Sequence, residues 1–149
     1  GKHVVYIATA TIYDDEMQQR INRHINDRPS HWTTVEEPLQ LSQVLQQYGS
    51  EDVCILVDWL TLWLTNVLML EQESITDYKT KLLTQLTAFN QLPATVILVS
   101  NEVGQGIVPM GELSRRFVDE AGWLHQDIAQ LAQKVTMVVA GLPMTLKDE

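Results

Sequence analysis

Four apolar runs rich in β-branched residues punctuate the chain: "HVVYIAT" (3–9), "DVCILVD" (52–58), "ATVILVS" (94–100) and "KVTMVVA" (134–140). They are nearly continuous rather than alternating. A strand with one face in water alternates apolar and polar residues, whereas a strand covered on both faces has no polar side to show. Helical patterns fill the spaces between them, over 14–28, 38–48, 60–70, 75–92 and 112–133. The segment 38–48 opens on Pro38 at a first-turn position and stops before Gly49. This alternation predicts an α/β fold, doubly wound around a mostly parallel sheet by right-handed crossovers. Strands are expected at 4–8, 53–57, 95–99 and 135–139. No repeat, low-complexity segment or linker breaks the pattern, so the 149 residues (1–149) read as one domain.

In such sheets ligands bind just beyond the carboxyl ends of the strands. Those ends carry "ATATIYDDE", "VDWLTLWLTN", "SNEVGQGIVP" and "AGLP", which are polar or glycine-containing. Charge narrows the ligand. With 10 basic and 19 acidic residues the formal net charge is −9, which argues against a nucleic-acid or anionic-membrane surface. A small anion remains possible where basic residues cluster. The single cysteine, Cys54, lies inside an apolar run, reads as a core residue and fits a reducing, cytoplasmic setting. No signal-peptide pattern opens the chain, and the longest apolar stretch, "WLTLWLTNVLML", is too short and polar to span a bilayer.

The basic cluster is "DDEMQQRINRHINDRP", residues 14–29. On a helix, Met17, Ile21 and Ile25 share the core-facing stripe, and Arg20 and His24 are neighbours one turn apart. A neutral imidazole beside fixed cations is a nucleophile suited to a phosphorus centre. The simpler reading, which spacing alone favours, is a solvated face of charge pairs such as Glu16 with Arg20. Asp58, at the tip of the second apolar run, suits either a Mg²⁺-handling carboxylate or a helix N-cap. "NEVGQGIVP" contains a lone GxG, as compatible with a tight turn as with a phosphate loop.

In order along the chain, "YIATA", "DDEMQQRINRH" with the following "RP" and "HW", "VEEPL", "VDWLTLWLTN", "NEVGQGIVP", "RRFVDEAGWLHQDIAQLA" and "GLP" resemble the bifunctional adenosylcobinamide kinase / adenosylcobinamide-phosphate guanylyltransferase family of cobalamin biosynthesis. These pieces cover almost the whole sequence. The resemblance implies a P-loop NTPase-like, RecA-like α/β fold with helices on both faces of the sheet. It also implies two transferase activities, with ATP and GTP as substrates and Mg²⁺ as cofactor. The first phosphorylates the aminopropanol hydroxyl of adenosylcobinamide. The second transfers GMP from GTP to that phosphate through a guanylylated histidine, and His24 matches the acceptor. By the same resemblance Thr9, Ala10 and Thr11, then Ile25, Asn26, Asp27 and Arg28, contact the nucleotide. Glu36 and Asp58 match acidic positions that contact nucleotide or Mg²⁺, with Asp58 the metal position. The family implies a cytoplasmic homo-oligomer such as a trimer, acting on a small corrinoid.

The resemblance has two departures. No G-x-x-x-x-G-K-[ST] occurs, and the first apolar run begins at residue 3, so the chain reads as lacking the family's first strand and phosphate loop. The sheet is then expected to show a gap or a substituted edge, and the chain as it stands to guanylylate poorly. His125 stands where the family commonly has Asn. The competing class is a noncatalytic binding or assembly subunit that keeps the fold without the loop. A dinucleotide oxidoreductase would need GxGxxG after the first strand, and "YIATATIYDD" lacks it.

Overall fold

The computed structural model describes residues 2–9, 19, 23, 28–70, 75–92, 94–102 and 112–149. Their contacts gather into two compact units, Gly1–Glu102 and Val103–Glu149.

The first unit is built on a parallel sheet of β1 (His3–Ala8), β2 (Thr33–Glu36), β3 (Val53–Asp58) and β4 (Thr95–Val99), in the order β2-β1-β3-β4. Consecutive residues Val5, Tyr6 and Ile7 of β1 are all buried, as expected of a strand covered on both faces. Ile55 and Val57 continue this core in β3. Register aligns the carboxyl ends: Ala8 lies opposite Glu36 on one side and Asp58 on the other.

Three further elements among the described residues of the unit are the helices α1 (Leu41–Tyr48), α2 (Leu60–Leu70) and α3 (Ile75–Phe89). Helix α2 buries Leu60, Trp63, Leu64, Val67 and Leu68 together with Thr61 and Asn66, so nearly its whole circumference is inside. Each buried side chain of this size stabilises by about 1.5–3 kcal/mol. Helix α1 begins at Leu41, three residues after the Pro38 start expected from sequence. The intervening backbone has other partners. Glu37 Oε2 accepts from the amides of Leu39 (3.1 Å) and Gln40 (3.2 Å), and the carbonyls of Pro38 and Leu39 accept from Asn66 and Trp63.

Of the expected gap or substituted edge, the sheet shows the second among its described strands. Its described strands leave no gap, since β3 pairs directly with β4 from Cys54 opposite Thr95 to Asp58 opposite Val99. The edge beside β1 is β2, a four-residue strand too short to stand out as an apolar run.

The second unit holds α4 (Glu112–Leu131), β5 (Lys134–Val139) and β6 (Leu142–Asp148). Here the 135–139 expectation fails as to sheet. This segment is a strand, but it pairs antiparallel with β6 and joins no parallel strand among the described residues. The cause is the turn. Ala140 (φ 52) and Gly141 (φ 74) both take left-handed backbone, the geometry that folds a strand straight back on itself. "AGLP" is therefore a hairpin turn and the start of β6, not a loop leading from a parallel strand into a site. Lys147 of β6 donates to the carbonyls of Ala129 (2.9 Å) and Gln130 (3.1 Å), satisfying the carboxyl end of α4.

Candidate functional site

Beyond the carboxyl ends of β1 and β3 the chain builds a hydrogen-bonded floor. Thr9 follows β1 and is fully buried. Its hydroxyl donates to the Trp59 carbonyl (2.6 Å) and accepts from the Trp59 amide (3.0 Å), while its own amide donates to the Asp58 carbonyl (3.1 Å). Asn66 of α2 donates to the carbonyls of Thr9 (2.8 Å) and Pro38 (3.1 Å). The segments following β1 and β2 are thus held by one amide side chain from α2. An unpaired buried carbonyl is costly, which is why a polar residue sits in this otherwise apolar helix.

On this floor three side chains meet. The Tyr6 hydroxyl donates to Asp58 Oδ2. The Arg28 guanidinium lies over the Tyr6 ring, 3.5 Å from its centroid, and Arg28 Nη1 donates to Thr34 Oγ1 at 3.1 Å. Asp58 Oδ1 and Arg28 Nε are both buried without a hydrogen-bond partner among the described residues. Burial, and then the Asp58 carboxylate, push the Tyr6 phenol well above its ordinary value, with Arg28 a smaller opposing influence. Tyr6 is therefore protonated and a donor at neutral pH. The arrangement presents one carboxylate oxygen and one guanidinium N–H whose hydrogen-bonding capacity is unused. A cation and an anionic oxygen are the chemistries those groups accept.

Of the residues expected from sequence, Thr9, Arg28 and Asp58 come together here. Glu36 is exposed at the end of β2, level with Ala8 and Asp58 in register, while its neighbour Glu37 makes the backbone contacts. His24, Ala10, Thr11, Ile25, Asn26 and Asp27 lie outside the described residues, as does 103–109 of "NEVGQGIVP". Gln19 and Arg23, described within the 14–28 stretch, are helical and exposed. Sequence reasoning missed Tyr6, Asn66 and Trp63. Tyr6 sits mid-run and reads as core. Asn66 carried a signal, being a lone amide inside an apolar helical stretch.

A mostly parallel sheet with a threonine, an aspartate and an arginine gathered past its strand ends defines an α/β protein with its site where such sheets bind phosphate-bearing ligands. The family description "Cobinamide kinase / cobinamide phosphate guanyltransferase" matches residues 1–146, and the chain belongs to that family. It is 53% identical over 149 residues to the bifunctional adenosylcobalamin biosynthesis protein CobP of Pseudomonas aeruginosa, covering 100% of this chain and 85% of that one. It is 38% identical to CobU of Salmonella typhimurium (97% of this chain, 86% of the relative) and 36% identical to CobU of Escherichia coli (99% and 87%). Both carry the same bifunctional name.

Proposed function

We propose that this chain phosphorylates adenosylcobinamide and then transfers GMP from GTP to the product, with His24 as the covalent acceptor. The observation that carries the reading is the family match over 1–146, which takes in "RINRH" and both flanking site segments. In the first step the aminopropanol hydroxyl attacks the γ-phosphorus of ATP or GTP. The new O–P bond replaces the bond to the bridging oxygen, the nucleoside diphosphate leaves, and the hydroxyl proton passes to solvent. In the second, a ring nitrogen of neutral His24 attacks the α-phosphorus of GTP and pyrophosphate leaves. A phosphate oxygen of the corrinoid then attacks the same phosphorus, the P–N bond breaks, and the imidazole is restored. Arg28, with its free Nε–H, is suited to hold phosphate oxygens, and Thr9 to shape the loop that meets the nucleotide. Ala10, Thr11, Ile25, Asn26, Asp27 and Glu36 are assigned to the nucleotide by their place in the family pattern.

The donor set fits Mg²⁺. That ion is usually held by one or two carboxylates plus substrate phosphates, and the buried, unpartnered Oδ1 of Asp58 is such a donor. Among the described residues no cluster of three or more His, Cys, Asp or Glu offers a protein-only site. Asp58 would hold the ion, whose charge when bound would offset the charge developing on the phosphate oxygens. We further place the protein in the cytoplasm as a homo-oligomer such as a trimer. The single cysteine supports the first assignment, and the exposed apolar residues Val138, Leu142, Met144 and Leu146 of the hairpin support the second. Among the described residues no helix is long and apolar enough to cross a membrane.

Incubation with GTP and Mg²⁺ tests the reading. With the family's phosphate-loop segment restored upstream, intact mass should rise by one GMP, in a linkage labile to acid and stable to base, as a phosphoramidate is, whereas residues 1–149 alone should label poorly. His24→Ala should abolish the label while sparing phosphorylation of the corrinoid alcohol. Undiminished labelling in His24→Ala would move the nucleophile elsewhere, with His31 the next candidate.

A further inference from the structure

Asp58 and Arg28 are opposite charges in one small site, yet among the described residues they form no ion pair with each other. Tyr6 contacts both. Its hydroxyl engages Asp58 Oδ2 and its ring face carries Arg28. Because Oδ2 is occupied, the carboxylate is fixed in rotation and Oδ1 is the oxygen left over. With the guanidinium stacked and Nη1 bound to Thr34, Nε–H is a buried donor left without a partner. Tyr6 is buried in the middle of β1, between Val5 and Ile7, which are also buried, so packing holds its ring in place. A direct Asp58–Arg28 pair would consume both charges and leave neither for a ligand.

We propose that Tyr6 is the positioning residue of this site: its hydroxyl orients Asp58 and its ring seats Arg28, so that one side chain keeps two opposite charges apart and free for the nucleotide's cation and its phosphate oxygens. The inference rests on the nucleotide assignment made above and adds the residue that sets its geometry. Tyr6 touches no reacting atom and acts through the other two.

The two halves of the role separate by substitution. Tyr6→Phe keeps the ring and its burial and removes only the hydroxyl. Tyr6→Leu removes the stacking face as well. Equilibrium binding of GTP to the full chain is measured across a Mg²⁺ series for wild type, both variants, Asp58→Asn and the Tyr6→Phe/Asp58→Asn double variant. Tyr6→Phe should need about tenfold more Mg²⁺ for half-maximal coupling, the size of one hydrogen bond to a charged group, with Mg²⁺-free binding of GTP within about twofold of wild type. Tyr6→Leu should in addition weaken Mg²⁺-free binding by about threefold, the size of one lost cation–π contact. The double variant should be no worse in Mg²⁺ coupling than Asp58→Asn alone, because the hydroxyl acts only through that carboxylate. A wild-type Mg²⁺ dependence in Tyr6→Phe, or additive losses in the double variant, overturns the proposal. A general loss of folding would move all the binding curves together and leave no such split. Wild-type protein that binds no GTP at any Mg²⁺ concentration would instead sink the nucleotide assignment itself.

Discussion

Asn66 is a polar side chain inside an apolar helix, and two backbone carbonyls account for it. Its amide donates to Thr9 and Pro38, residues that follow different strands. Asn66→Ala should leave both carbonyls short of a donor and lower stability by about 1–3 kcal/mol, read as a lower urea midpoint with an unchanged slope. Tyr6 gives a prediction in pH. Its phenol is raised above its ordinary value in the folded chain, so the folded state holds that proton more tightly than the unfolded state does. The stability this adds is fully present below the unfolded phenol value of about 10 and is lost as pH rises beyond it. Urea titrations across the alkaline range should show wild type losing stability faster than Tyr6→Phe. Equal slopes would remove the linkage.

Between elements, the close approach of α1 and α3 depends on Gly49. Its backbone is extended (φ −70, ψ 117) and asks for no special residue, but its amide ends the helix on the Leu45 carbonyl. A Cβ at this position would run into the Phe89 ring and lie 2.8 Å from the Leu45 oxygen. Gly49→Ala should therefore cost about 1–3 kcal/mol through overpacking, and Gly49→Ala/Phe89→Leu should recover part of it, as thermal unfolding would show. The β5–β6 turn depends on a different property of glycine. Gly141 (φ 74) has open space around it, so Gly141→Ala should cost about 1–2 kcal/mol from left-handed backbone alone. Amide exchange in the hairpin would register that loss without change in the parallel sheet.

The whole molecule divides into a parallel-sheet unit with a buried core and a unit whose two strands pair only with each other among the described residues. A two-stranded ribbon is marginally stable by itself. The β5 and β6 amides should therefore exchange with solvent well before those of β1 and β3, and the reverse order would mean that the ribbon is covered in solution. Much of this architecture was legible in the chain. β1, β3 and α2 were readable because burial on every side leaves a local mark, a run with no polar interruption; β4 carries the same kind of run although its Ile97 and Val99 are exposed. Asp58 was readable as a candidate from its place at the tip of such a run, where a metal-handling carboxylate and a helix N-cap were both open. β2 was not, because four residues carry too little pattern, and the 134–139 run was assigned to the wrong sheet because a continuous run does not say whether its partner is parallel. The meeting of Tyr6 with Asp58 spans 52 positions, and that of Asn66 with Thr9 spans 57. Periodicity reports which side of an element is dry, a property each segment carries by itself. Which atoms meet across the sheet depends on register and helix placement, which exist only once the segments are packed, so the tertiary structure alone decided that Tyr6 stands between the two charges.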